Sequence, residues 1–266
     1  MNILVCIKQV PDTTEIKIDP VKNTLIREGV PSIVNTFDTY ALETALRLKE
    51  KNGGSVTVLS MGPEQAKAAL KECLSVGADK AYLASDRAFG GSDTLATSFI
   101  ITNVIKYLEK EAGKFDVIFC GKQAIDGDTA QVGPEIAEHL GYPQVTYVSE
   151  VNMEGEELLV KRESDQGYDI ISVQTPAVIT VVKTAYEPRY ATIKSKIAAN
   201  RAQIATITVA DMPDMDLTRC GLKGSATKVK KTYTPIRSAN CYLINEETPQ
   251  QSAQKLVYLL SEEKII

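Results

Sequence analysis

The stretch Val117-Ile-Phe-Cys-Gly121-Lys-Gln-Ala-Ile-Asp126-Gly-Asp-Thr-Ala130-Gln-Val-Gly-Pro134-Glu-Ile-Ala-Glu-His-Leu140 decides the fold. Val117–Cys120 is an apolar run of strand length, and Gly133–Leu140 has helical spacing. Between them lie small and acidic residues that suit neither a strand nor a helix. A strand that passes through such a loop into a helix is the building unit of a parallel sheet covered on both faces. The alternation continues outwards, with strands predicted at Ile3–Val10, Val56–Met61 and Ala81–Ala84 and helices at Tyr40–Lys51, Glu64–Val76 and Thr94–Glu111. Pro63 suits the first turn of the second of these helices, and Gly77 its C-terminal cap. In the third, Leu95, Phe99, Ile105 and Leu108 are expected to share a buried face. The fold class is therefore α/β, a mostly parallel, Rossmann-like sheet with helices on both faces.

Beyond Pro143 the texture changes. Val145–Val151, Leu158–Arg162, Ile170–Val173 and Val178–Val182 read as strands of an antiparallel extension, with a hairpin turn at Met153-Glu-Gly-Glu156. A basic helix is expected near Lys194–Arg201. The stretch from Met212 to Asn245 is too long for an ordinary internal loop. Thr248-Pro-Gln-Gln251 reads as a capping box that opens a last helix carrying Ala253, Leu256, Val257 and Leu260. The expected organisation is an α/β domain over residues 1–210 and an arm with a helix over 211–266 that packs on a partner.

Composition limits the chemistry. The chain has 266 residues and a net charge of −4, which argues against a generic binder of nucleic acid or anionic membrane. No apolar run approaches the roughly 18 residues of a membrane span. Met1–Val10 lacks a basic start and a small-residue cleavage site, so it reads as a first strand and not as a signal peptide. The single histidine, His139, argues against multi-histidine metal sites. The five cysteines (Cys6, Cys73, Cys120, Cys220, Cys241) contain no CxxC, which argues against a cysteine-ligated cluster. They read as reduced thiols of a cytoplasmic protein. Redox chemistry here would need an organic cofactor.

Three groups of residues are candidates for a site. In the loop Gly121–Pro134, the small residues Gly121, Gly127, Thr129, Ala130 and Gly133 let backbone approach a phosphate or ribose, and Asp126 and Asp128 offer acceptors. A plain strand–helix connection with aspartate caps is the alternative. The loop is neither a Walker sequence nor GxGxxG. In Gly90–Ser98, Ser92 or Asp93 can cap a helix whose first turn carries Thr94 and Thr97 on one face. Asn35-Thr36-Phe37-Asp38, Cys6 and Met61 form the third group, each a cap or core residue if taken alone. His139 suits a surface or helix-dipole role. No catalytic side chain is assigned and no metal site is expected.

Several runs together resemble the β (small) subunit of electron transfer flavoproteins: Val5-Cys-Ile-Lys-Gln-Val-Pro-Asp12, Ala45–Glu50, Met61-Gly-Pro63, Gly77-Ala-Asp79, Gly121–Pro134 and Glu187-Pro-Arg-Tyr-Ala-Thr192. The resemblance covers nearly the whole chain. It implies a heterodimer with an α subunit that carries the electron-transferring FAD, and a nucleotide site in this chain that holds AMP or a second FAD. Asp126-Gly-Asp-Thr-Ala-Gln-Val-Gly133 and Ser92–Ser98 look like the two-FAD, electron-bifurcating group. FAD is therefore the expected cofactor, with AMP as the alternative and NADH as reductant. The resemblance implies ferredoxin or flavodoxin and an acyl-CoA or lactate dehydrogenase as redox partners. Carried over by position, the cofactor site comprises Cys6, Asn35, Thr36, Phe37, Asp38, Met61, Thr94, Thr97, Lys122, Gln123, Ala124, Ile125, Asp126, Gly127, Asp128, Thr129, Ala130, Gln131, Val132 and Gly133. A partner-recognition loop is implied within residues 184–200, through Glu187, Pro188, Arg189, Tyr190, Ile193 and Lys194. Lys194-Ser-Lys196 departs from the family's commoner Pro-Asn version of this loop.

Overall fold

The computed structural model describes residues 1–12, 18–19, 24–25, 31–155, 157–230 and 242–266. The chain divides into two compact units, residues 1–230 and 231–266. The first begins with β1 (Asn2–Ile7), β2 (Gln9–Pro11), β3 (Ile18–Asp19), β4 (Thr24–Leu25) and β5 (Ser32–Val34). Next come α1 (Thr36–Asn52), β6 (Ser55–Met61), α2 (Lys67–Val76), β7 (Lys80–Ala84), α3 (Thr94–Ala112), β8 (Val117–Gly121) and α4 (Val132–Leu140). It continues through β9 (Gln144–Glu154), β10 (Glu157–Ser164), β11 (Gly167–Gln174), β12 (Ala177–Val181), α5 (Ile193–Arg201), β13 (Ala205–Ile207) and α6 (Gly221–Gly224).

One nine-stranded sheet organises this unit, in the order β11-β10-β9-β12-β8-β1-β6-β7-β13. The seven strands from β9 to β13 in that order run parallel, and β10 pairs antiparallel with both β9 and β11. Side chains of β1 alternate between two cores. Ile3, Val5 and Ile7 pack with α1 and α2 on one face, and Leu4 packs with α3 and α4 on the other. Because β1 lies between β6 and β8, the strand order reverses there, which opens a crevice beyond the carboxyl ends of β1 and β8.

The strand at Val178–Val182 corrects the expected antiparallel extension. β12 is inserted parallel between β8 and β9, and all five of its residues are buried. An uninterrupted apolar run is what a strand covered on both faces requires, and only β10 and β11 form the extension. Ile3–Val10 is broken at Lys8, whose backbone N–H bonds to Asp38 instead of a sheet neighbour. The helix expected from Glu64 starts as a 3₁₀ turn, with α2 following at Lys67. In α3, Leu95 is exposed and Phe99 half-buried. The face turned to the core carries Ile100, Ile101, Val104, Ile105 and Leu108. β13 has three residues and too little pattern to be read from sequence. The hairpin between β9 and β10 turns through Gly155, while Glu156 lies outside the described residues.

Residues 211–230, which the sequence reading groups with the arm, belong to the first unit, where Met212, Met215 and Cys220 pack in the α3–α4 core. Within the second unit, α7 (Pro249–Glu262) opens with the capping box expected from sequence. Thr248 caps the N–H of Gln251 and Gln251 returns to the N–H of Thr248. Leu256 and Val257 on this helix are exposed. No helix among the described residues is long and apolar enough to cross a membrane.

Phe119 on β8 is fully buried at the centre of the α1-side core. Phe119→Ala should cost about 3–5 kcal/mol of unfolding free energy. Urea melts of the full chain check this, with Tyr168→Ala on exposed β11 expected to change stability by less than about 0.5 kcal/mol.

Candidate functional site

The crevice is organised from beneath by two buried polar residues at the start of α1. Asn35 is 1% exposed and Asp38 6% exposed. The Asp38 carboxylate accepts from the backbone N–H of Lys8 (2.7 Å), at the end of β1, and of Gly121 (3.1 Å), at the end of β8. It also accepts from Asn35 Nδ2 (3.0 Å). Asn35 in turn donates to the Gln123 carbonyl (2.8 Å) and accepts from the Ile125 N–H (3.0 Å). Two side chains thus tie both strand ends to the loop above them. Gly121 is required here, because a Cβ at that position would run into Asp38 Oδ1 and the Phe37 backbone. Burial pushes the Asp38 carboxyl up to about 7, against the hydrogen bonds and the Lys8 charge that favour its ionised form.

Above this support the loop doubles back on itself. The N–H groups of Gly127 and Asp128 both reach the Ala124 carbonyl, at 3.2 and 2.9 Å. Asp126 is held by Lys8 Nζ at 2.6 Å, and Asp128 accepts from Gln123 Nε2 at 2.6 Å. Asp128 and Ala130 both adopt φ of 53°, a left-handed conformation that aspartate tolerates and alanine adopts at a cost of about 1 kcal/mol or more. The loop feeds into α4, whose N-terminus has no side-chain cap. Among the described residues, the N–H groups of Val132 and Gly133 make no hydrogen bond within the chain. Gly133 packs so closely on β12 that a Cβ would lie 2.6 Å from Thr180 Cγ2.

The start of α3 meets this loop. Asp93 caps the helix by accepting from the Ala96 N–H at 3.0 Å. Thr94 Oγ1 lies 3.1 Å from Gln131 Oε1 and 3.2 Å from Glu135 Oε1, bridging the openings of α3 and α4. The structure therefore brings together Asn35, Asp38, Thr94 and the loop residues from Lys122 to Gly133. Cys6 and Met61 sit at the ends of β1 and β6, partly buried against the α3–α4 core. The neighbouring Cys6 thiol and burial both raise the pKa of Cys120. Thr97 is half-buried on α3, Phe37 is half-buried and Thr36 is exposed. His139 is in the last turn of α4 with its ring edge-on to Phe99, and burial lowers its pKa.

The expected recognition loop divides into anchors and exposed groups. Arg189 reaches α1, bonding Glu43 (Nε to Oε2, 2.8 Å) and Glu50. Burial raises the Glu43 carboxyl, but Arg189 and Arg47 outweigh it and hold the group below the usual carboxylate range. Glu187 accepts from the Tyr40 hydroxyl at 3.1 Å. Tyr190 and Ile193, by contrast, are 96% and 82% exposed. Ile193 begins α5, fixed by a capping box between Thr192 and Ser195. Lys194 is exposed.

Sequence reasoning missed Lys8, Tyr147 and the Glu43–Arg189–Glu50 cluster. Lys8 is an ordinary lysine until β1 and the loop are adjacent. Tyr147 lies on β9 with φ of 58° and its ring 5.1 Å from Lys122 Nζ. Two clefts elsewhere do not touch the crevice. One is lined by Met1, Asn52, Asp116 and Met153, the other by Lys71, Arg189, Tyr190 and Lys196.

The family model for the electron transfer flavoprotein domain matches residues 22–212. The electron transfer flavoprotein subunit beta of Clostridium acetobutylicum is 52% identical over 258 residues, covering 92% of this chain and 97% of its own length. Its counterpart in Megasphaera elsdenii is 49% identical, with both chains covered in full. The caffeyl-CoA reductase-Etf complex subunit CarD of Acetobacterium woodii is 46% identical, again over the full length of both.

The buried carboxyl gives the fold a pH signature. Asp38 moves from 3.8 when free to about 7 when folded, so its contribution is full below about pH 4 and lost as pH rises through about 7. Asp38→Asn lacks this titration and opposes an N–H donor with an amide, at a cost of about 1–3 kcal/mol. The stability gap between wild type and Asp38→Asn should be wider at pH 5 than at pH 8 in urea melts. A gap that widens with pH contradicts this arrangement.

Proposed function

The chain belongs to the electron transfer flavoprotein family as a β subunit, and on that footing we propose that it pairs with an α subunit and holds FAD at the carboxyl edge of its sheet. The observation that carries this reading is the convergence of the 122–131 loop and the openings of α3 and α4 beyond the switch point of β1 and β8. The donor set fits a dinucleotide. The uncapped start of α4 offers free N–H groups and the positive end of a helix dipole to a diphosphate. The exposed, left-handed loop offers acceptors for ribose or adenine at Asp128 and close backbone at Gly127 and Thr129.

When bound, FAD would supply two-electron exchange with a nicotinamide and one-electron exchange with protein partners. The chain's own part is to bind and orient. Lys8 neutralises Asp126, which lessens repulsion of an anionic ligand. Thr94 links the two helix openings so that they act as one cradle. No side chain of the crevice is assigned a proton-transfer role.

The finer reading is that the assembled complex oxidises NADH and divides the two electrons. One goes to a ferredoxin or flavodoxin, and the other goes by way of the α-subunit flavin to an acyl-CoA or lactate dehydrogenase. The runs Asp126–Gly133 and Ser92–Ser98 support this. So does similarity to a relative whose name joins an Etf to a caffeyl-CoA reductase. Exposed Tyr190 and Ile193 are the apolar contacts offered to the dehydrogenase, and exposed Leu256 and Val257 those offered to the α subunit. The complex works in the cytoplasm.

Asp128→Arg and Thr94→Arg each place a bulky guanidinium in the crevice. Both should lower FAD content and NADH oxidation of the purified complex at least about tenfold while leaving the melting temperature within a few degrees, because Asp128 is exposed on the loop and Thr94 is half-buried at the opening of α3, neither of them in a core. Full flavin and activity in both variants would contradict the assignment.

A further inference from the structure

Tyr147 is held in an unfavourable backbone conformation for no gain in core packing. Its φ of 58° lies in the left-handed region, where a bulky residue is a genuine outlier. The residue is 39% exposed. The conformation is imposed by a bulge. β9 advances three residues, from Val145 to Val148, while β12 advances two, from Ile179 to Val181. The Tyr147 N–H is caught by Thr180 Oγ1 at 3.3 Å, and the same Thr180 packs against Gly133 at the start of α4. The bulge is thus built into the wall of the crevice. It aims the ring at Lys122, whose ammonium lies 5.1 Å from the Tyr147 ring centroid and 5.9 Å from that of Phe37. The Lys122 backbone is fixed separately by its N–H bond to the Val181 carbonyl at 2.8 Å.

We propose that Tyr147 is a positioning residue: with Phe37 it clamps the Lys122 ammonium at the crevice mouth, where that charge meets an anionic group of the bound nucleotide. A lysine side chain alone is a flexible point charge, and two aromatic faces within about 6 Å restrict where it can sit. Glycine or asparagine would satisfy the backbone at position 147 without strain, so the tyrosine is explained by its ring. The anion-binding half of the proposal rests on the nucleotide reading of the crevice, whereas the clamp does not.

The test uses the complex with its α subunit and the variants Tyr147→Phe, Tyr147→Asn and Lys122→Met. Acylation of Lys122 by a small amine-reactive ester, followed by peptide mass spectrometry, reads the clamp without any ligand. Wild type and Tyr147→Phe should label alike, and Tyr147→Asn about threefold or more faster. Titration of the flavin-stripped complex with ADP at several salt concentrations reads the second half. Tyr147→Asn should weaken binding about as much as Lys122→Met, the double variant should lose no more, and the melting temperature of Tyr147→Asn should not fall. Equal labelling of Lys122 in all tyrosine-site variants overturns the clamp. Fully additive losses in the double variant, or ADP binding that ignores Lys122→Met, overturn its link to the ligand. A wild-type complex that labels as expected but binds no ADP overturns the nucleotide reading instead.

Discussion

A single buried carboxylate joins the two halves of the sheet at the point where its order reverses. Asp38 accepts from the N–H of Lys8, just past β1, and from the last N–H of β8, and its neighbour Asn35 carries the connection into the loop at Gln123 and Ile125. Parallel strands that end side by side leave polar groups with no ladder partner, and buried groups of this kind are costly unless satisfied. Here one short side chain satisfies two of them and a second steadies the loop. The requirement extends to Gly121, which has no room for a Cβ, and to the break in β1 at Lys8. Lys8 is thereby presented to Asp126, and the loop above acquires its left-handed turn at Asp128 and Ala130. Asn35 and Asp38 accordingly act on the crevice through the loop and strand ends, while Thr94, Asp128 and the start of α4 face outwards.

Much of this was legible in the sequence because it rests on local rules. Apolar runs and helical spacing marked β1, β6, β7, β8 and α1 to α4 to within a few residues, since burial on a fixed period leaves a pattern. The caps at Asp93 and Thr248 were legible for the same reason: a hydroxyl or carboxylate just before a helix has a local partner. The direction of β12 was not. Five consecutive buried residues are compatible with either orientation, and the choice is made by β8 and β9 on its flanks. The expected buried face of α3 does not include Leu95, which is near the helix opening and turned to solvent.

The crevice loop was legible as a motif, but the contacts that support it were not. The Gly121–Pro134 run announced close backbone and acceptors, yet nothing local links Asn35 to Gln123 or Tyr147 to Lys122. Those contacts span 88 and 25 positions and exist only once the strands are ordered. The expected recognition loop shows the same separation. Arg189 is drawn down onto Glu43 and Glu50 of α1, and this anchoring frees Tyr190 and Ile193 to remain exposed. A chain with one histidine and no CxxC offers few reactive side chains. Its functional content lies in fixed N–H groups, a helix opening and a few placed charges, which suits a protein that holds a redox cofactor.

The most direct measurement is a count of nucleotides released from the purified heterodimer on denaturation, with FAD and AMP separated by chromatography. Two FAD and no AMP per heterodimer is the result expected if the crevice above β1 and β8 holds a flavin. One FAD and one AMP would contradict it, leaving this chain with a structural nucleotide and the α subunit with the only flavin.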